Sequence, residues 1–175
     1  MNMKLEQTTS PQPLEVKNPQ QSSKPVAGHQ RLNKFVGQWD MEGQQLAGPF
    51  GSSAKITAVE TFEWLEGEFF LICRFDGRVG SATANCIEII GHDASTESYP
   101  SHSYYDNGIT REWSSHERNG VWVRTGDQEI EGQAMQVKCT TTFADSGNTR
   151  TDKWECSRDG LNWQTFWDVR ATKSK

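Results

Sequence analysis

From Gly37 onward the chain is dominated by residues that alternate in polarity. Met135, Val137, Cys139, Thr141 and Phe143 share one face of a strand, opposite Gln136, Lys138, Thr140 and Thr142. About ten such runs can be marked, at 38–46, 54–64, 68–75, 82–92, 98–106, 109–117, 121–129, 133–143, 149–157 and 162–170. Turn signals separate them: Gly48-Pro49 with Gly51, Glu66-Gly67, Asp76-Gly77 with Gly80, and the stretch from Asp93 to Thr96. Asn107-Gly108, Asn119-Gly120, Glu131-Gly132, Ser146-Gly147-Asn148 and Asp159-Gly160 continue the series. Ahead of the first run, Leu32, Phe35 and Val36 are spaced i, i+3, i+4 and Gly37 stops them, which predicts one short helical turn.

Turns this short join antiparallel neighbours, because a parallel crossover needs a dozen or more residues. A meander of about ten strands removes its two exposed edges by closing on itself. The expected fold is therefore all-β: an antiparallel up-and-down β-barrel with a short N-terminal helical turn, an open two-sheet sandwich being the second choice. Residues 1–27 hold four prolines and no aromatic residue, and show no periodicity. They read as a disordered tail ahead of a barrel domain over 28–175.

Parity also sorts the polar residues. Arg150, Asp152, Trp154 and Cys156 form one set; Arg111, Trp113 and Ser115 another; Ile56, Ala58, Glu60, Phe62 and Trp64 a third. In the last run Trp163, Thr165, Trp167 and Val169 are expected inside and Phe166 outside. Runs 68–75 and 82–92 are apolar on both faces, so their parity decides nothing. Charged groups carried inward mark an internal polar network or a wet cavity, since a buried charge is costly unless paired. A barrel of about ten strands is wide enough for either a packed interior or a small ligand. The candidate ligand-binding residues are Glu60, Arg111, Trp113, Asp152, Trp154, Trp163 and Trp167, with Arg111 orienting a polar or anionic end between tryptophan walls.

Composition narrows the classes. A net charge of −5 and a pI near 5.4 argue against nucleic-acid binding. No apolar leader and no membrane-length run are found, so the expected location is the cytoplasm and no membrane partner is expected. Cys73, Cys86, Cys139 and Cys156 are widely spaced within strand runs, and read as buried free thiols. His29, His92, His102 and His116 have no metal-ligand spacing and read as turn or surface residues, so no metal is expected. Acid–base chemistry could draw on Glu60, Glu88 or Asp152, with Tyr104 or Tyr105 as a donor, but no spacing rule picks these out. No nucleophile elbow, phosphate loop or dinucleotide fingerprint occurs, and no catalytic residue is singled out.

Several segments resemble a known group. Gly37-Gln38-Trp39, reached from a helical turn, resembles the G-x-W that opens the first strand of calycins (lipocalins and fatty-acid-binding proteins). Over 30–172 the chain is similar to a bacterial calycin-like domain family of unknown function. The pieces that carry the similarity are Phe35 to Trp39, Leu65 to Leu71, Glu88 to Asp93, Tyr99, Ser101 to Asp106 and Trp154 to Trp163. The resemblance implies a closed barrel and, from lipocalins, a cation–π contact at the closed end between Trp39 and a late arginine, matched here by Arg170. A related haem-binding group continues G-x-W-x-G-x-G; here Asp40-Met41-Glu42 follows Trp39, and no cofactor is expected. Three functions stay open: a binder of a small, largely apolar molecule; an isomerase, cyclase or hydrolase using the same cavity; and a protein-interaction module with a packed barrel.

Overall fold

The computed structural model describes residues 24–130 and 132–174. The expected tail therefore lies, up to residue 23, outside the described residues. Helix α1 spans Ala27–Arg31, continues as a 3-10 turn over Leu32–Lys34, and leads into β1 (Gly37–Gln45). Then come β2 (Ala54–Trp64), β3 (Leu71–Val79), β4 (Ala82–Ile90), β5 (Tyr99–Tyr105), β6 (Thr110–Arg118), β7 (Val121–Ile130), β8 (Gln133–Ala144), β9 (Thr149–Ser157) and β10 (Gln164–Lys173). Each strand pairs antiparallel with its neighbours in sequence, and β1 pairs with β10 to close the barrel. The all-β, up-and-down architecture anticipated from the alternation is the one observed. Among the described residues no helix is long and apolar enough to cross a membrane.

The end at which the chain enters β1 is sealed. Leu32 is buried there, and Phe35 packs against Phe62, Trp122 and Phe143 at ring separations of 5.1 to 5.5 Å. The Trp39 indole, fully buried, donates Nε1–H to the Phe35 carbonyl at 2.6 Å. The Tyr99 hydroxyl donates to the carbonyl of Gly28 at 3.1 Å, holding α1 down. Gly28 lies against the His92 ring so closely that a Cβ would fall about 2.1 Å from it, and any larger residue there would have to displace that ring. His29, on the inner face of α1, is buried against Phe69 and His92, where a turn or surface histidine was expected.

Two segments depart from the anticipated pattern. Asp76-Gly77 is not a turn: β3 runs on to Val79, and the reversal follows at Gly80. Gly77 is buried facing Phe75 and Ala58, where a Cβ would lie 2.6 Å from the phenyl ring. It is small to make room inside the barrel, not to turn the chain. The second departure is a bulge in β10 between Thr165 and Trp167. The extra residue turns consecutive Phe166 and Trp167 inward and resets the parity before them. Phe166 is buried. Thr165 falls opposite outward-facing Glu155, and Trp163 lies outside, with the Lys138 ammonium 4.1 Å from its ring centre.

Candidate functional site

The interior between the sealed end and an aromatic cluster at the opposite end is hollow, with a cavity of about 240 Å³. It is lined by residues from every strand except the outward-facing positions, so the alternation itself builds the site. Its charged groups fall into three levels.

Nearest the sealed end lies Arg150, 3% exposed, on β9. Its Nε donates to Asp152 Oδ2 at 2.9 Å, and its Nη2 donates to Glu60 on β2 across the barrel. The guanidinium lies 5.2 Å from the Trp39 ring centre, 5.6 Å from that of Phe62 and 5.9 Å from that of Phe35. The second Asp152 oxygen accepts from Thr141 Oγ1 at 2.6 Å, so the carboxylate is satisfied on both sides. Burial pushes the Glu60 carboxyl above its ordinary range, and the Arg150 charge only partly offsets this. Arg150 stays charged: its two carboxylate partners more than outweigh the cost of burial.

The next level joins β4 to β7. Arg124 Nη1 donates to Glu88 Oε2 at 3.0 Å, and Nη2 lies 2.8 Å from Oε1 as a close ion-pair contact. Trp113 packs near this arginine, 5.9 Å away, and donates Nε1–H to Ser103 at 3.1 Å.

Arg111, on β6, is different. It lies 5.4 Å from the Tyr105 ring centre, but among the described residues no carboxylate pairs with it and its buried Nε has no acceptor. It is a half-buried cation in an aromatic wall with its hydrogen-bonding capacity unspent. Beyond it Trp154 forms edge contacts with Trp113 at 5.7 Å and Trp167 at 6.3 Å. Phe50, from the β1–β2 loop, stacks on Phe166 at 4.0 Å and 25°.

Three thiols also face the cavity: Cys73, Cys86 and Cys139. Burial drives Cys73 and Cys139 well above the ordinary thiol range and pushes Cys86 up to about 12. They remain protonated at neutral pH, act as small apolar walls, and are poor nucleophiles and metal ligands. Among the described residues no three His, Cys, Asp or Glu side chains converge to hold a metal ion.

Of the residues singled out from sequence, Glu60, Arg111, Trp113, Asp152, Trp154 and Trp167 meet around this cavity. Trp163 does not, because the β10 bulge turns it outward. Arg170 is not the partner of Trp39: it is exposed, 3.7 Å from Asp145, while Arg150 from inside and Lys173 from the end of β10 flank the indole. Sequence reasoning missed Arg124, placed Phe166 outside, and considered Glu88 and Tyr105 only for acid–base chemistry and not for this lining. Arg124 was within reach, since Trp122, Arg124, Gly126 and Gln128 share one parity. Glu88 was hidden by a strand apolar on both faces, of which Ile87 and Ile89 prove to be exposed.

Comparison with known proteins places this geometry. A family model described as "Protein of unknown function (DUF1579)" matches residues 24–171. No curated protein matches the chain. Among solved structures, Rv2717c from M. tuberculosis superposes with a TM-score of 0.61 at 11% identity, covering 86% of this chain and 99% of its own. The S-type phycobiliprotein lyase CPES from Guillardia theta superposes with a TM-score of 0.53 at 10% identity, covering 86% of this chain and 94% of its own. At such identities the likeness is one of fold, a lipocalin-like barrel.

Proposed function

The chain belongs to the DUF1579 family, whose description carries no activity, and from its own cavity we propose that it binds a small, largely apolar molecule bearing one anionic group. The observation that carries this reading is Arg111. A cation set in an aromatic wall without a counter-charge is the feature a binding site keeps for its ligand, whereas a structural arginine is paired as Arg150 and Arg124 are. The volume of about 240 Å³ lies just under the usual range of about 300–1,000 Å³ for small-molecule sites, which favours a compact ligand. Trp113, Trp154 and Trp167 supply the walls, and Glu60 and Asp152 the polar floor. Trp163 has no part in it.

The first test is native mass spectrometry of protein purified gently from its own source, to catch a bound mass that is lost on denaturation. The second is quantitative: Arg111→Gln weakens a monocarboxylate ligand about tenfold or more, the range of a charge-assisted hydrogen bond. Equal affinity in the variant would remove Arg111 from the site and the anionic group from the ligand. A second reading has one observation in its favour. Glu60 is a deep carboxyl held above its ordinary range, as an acid catalyst of an isomerase, cyclase or hydrolase would be. It requires that Glu60→Gln abolish turnover while the protein stays folded. For organisation, we assign a separate tail to 1–27, a barrel domain to 28–175 and a cytoplasmic location. The free state of the four cysteines agrees with such a location.

A further inference from the structure

Phe50 and Phe166 form the one parallel ring stack among the described residues; every other aromatic pair there meets edge-on or tilted. The two rings differ in how they are held. Phe166 is buried on the β10 bulge, fixed to a strand. Phe50 is half-buried on the short β1–β2 connection, between Gly48 and Gly51, which bridge each other. Gly51 takes a φ of +116°, so glycine sets the shape of that loop. Both rings line the cavity.

The loop is fastened by one side chain. Gln45, buried, donates from Nε2 to the carbonyls of Phe50 at 3.2 Å and Ser52 at 2.8 Å. Its Oε1 accepts from Trp167 Nε1 at 3.0 Å. A group that moves Trp167 inside the cavity therefore pulls on the amide that holds the loop. Leu46 N–H, bonded to the Phe166 carbonyl at 2.8 Å, anchors the loop base, and the Gly48–Gly51 bridge holds the backbone of the tip, so the Phe50 ring is displaced by rotation of its side chain.

Resting on the reading of the cavity as a ligand site, we propose that Phe166 is the floor of a subsite for a planar aromatic ring, a place that the Phe50 ring takes in this structure and yields to the ligand. The ligand class is then a flat aromatic anion: its ring takes the place of Phe50 on Phe166, and its charge meets Arg111. Offset stacking against a fixed phenyl ring favours a flat π-system over an aliphatic chain of equal apolar area. Because Phe50 and the ligand compete for one face, the apparent affinity is lowered by the fraction of molecules in which Phe50 sits on Phe166.

The test compares two monocarboxylates of similar size, 2-naphthoate and decanoate, by tryptophan fluorescence and calorimetry on the full chain. Wild-type protein binds 2-naphthoate more tightly. Phe50→Ala tightens 2-naphthoate by about two- to tenfold and speeds its association, the size of effect one aromatic pair supplies. Phe50→Leu, which keeps bulk on the loop without a flat ring, tightens it to a similar degree. Phe166→Leu weakens 2-naphthoate several-fold and leaves decanoate within about twofold. Thermal melting confirms that each variant is folded, and loss of fold in Phe166→Leu leaves the two Phe50 variants to decide. Equal binding of both carboxylates, or no gain in either Phe50 variant, overturns the subsite. If neither carboxylate binds wild type or Phe50→Ala, it is the ligand-binding reading itself that fails.

Discussion

Replacing Arg150 with methionine separates the charge of this residue from its bulk. Methionine roughly fills the space of the aliphatic stem, so little cavity is created; what is lost is the cation between Asp152 and Glu60. With Arg150 gone, two buried carboxyls face one another, and among the described residues Asp152 keeps only the hydrogen bond from Thr141. Breaking a buried ion pair on one side costs about 3–5 kcal/mol. For a protein of this size each kcal/mol is worth roughly 2–4 °C, so melting falls by roughly 6–20 °C. The loss depends on pH. Burial already holds Glu60 above its unfolded value, and removing Arg150 removes what offsets that burial. A carboxyl with a raised native pKa favours the fold at low pH, and that contribution is lost as pH rises through the native value. The deficit of Arg150→Met is therefore largest near pH 7.5 and shrinks toward pH 5.5. Urea unfolding of wild type and variant at the two pH values measures it. The triple variant Arg150→Met, Glu60→Gln, Asp152→Asn recovers most of the stability, because no unpaired charge remains. A deficit below about 1 kcal/mol at pH 7.5, or one unchanged at pH 5.5, would refute the reasoning, since no buried-pair mechanism yields either.

Gly77→Ala places a methyl group 2.6 Å from the Phe75 ring and 2.9 Å from Ala58 Cβ. It destabilises by about 1–3 kcal/mol in urea unfolding, and because Phe75 lines the cavity, the displaced ring also weakens ligand binding. Proton linkage supplies a further check. The lining holds Arg111, Arg124 and Arg150 against Glu60, Glu88 and Asp152, a balanced set. An anion bound at Arg111 leaves one surplus negative charge, and Glu60 is the carboxyl already raised. Calorimetry in buffers of different ionisation enthalpy then detects net uptake of up to about one proton per ligand near pH 7, and net release would contradict it.

The barrel was legible because its two sequence signals are local. Alternation fixes which face of a strand is apolar, and glycine-containing turns fix where it ends; ten strands so joined have one economical closure. The errors came where a local signal has two physical causes. Asp76-Gly77 reads as a turn, yet Gly77 is small because Phe75 and Ala58 crowd it from inside. Trp163 and Trp167 are four residues apart and share a parity, yet one extra residue between Thr165 and Trp167 sends them to opposite sides of the wall. No pattern of apolar residues encodes a bulge, because the bulge is a mismatch between two strands and appears only once they are paired.

The site was legible in its membership and illegible in its pairing. Parity brought Glu60, Arg111 and Asp152 inward without saying which arginine meets which carboxylate, a question decided across the barrel by residues up to 90 positions apart. The resemblance pointed to Arg170 as the cation over Trp39, since a late arginine near the end of the last strand is where such a residue is sought. The strand alternates, however, and Arg170 falls between inward Val169 and Ala171, so its side chain can only point out. Arg150, one strand earlier, has the inward parity and serves the indole and both carboxylates at once. Its engagement there is what isolates Arg111. Glu60 and Asp152 are taken by Arg150 and Glu88 is taken by Arg124, so no cavity carboxylate is left for the cation in the aromatic wall. The ligand charge expected from Arg111 thus follows from the pairing of the other five charges, and not from Arg111 alone.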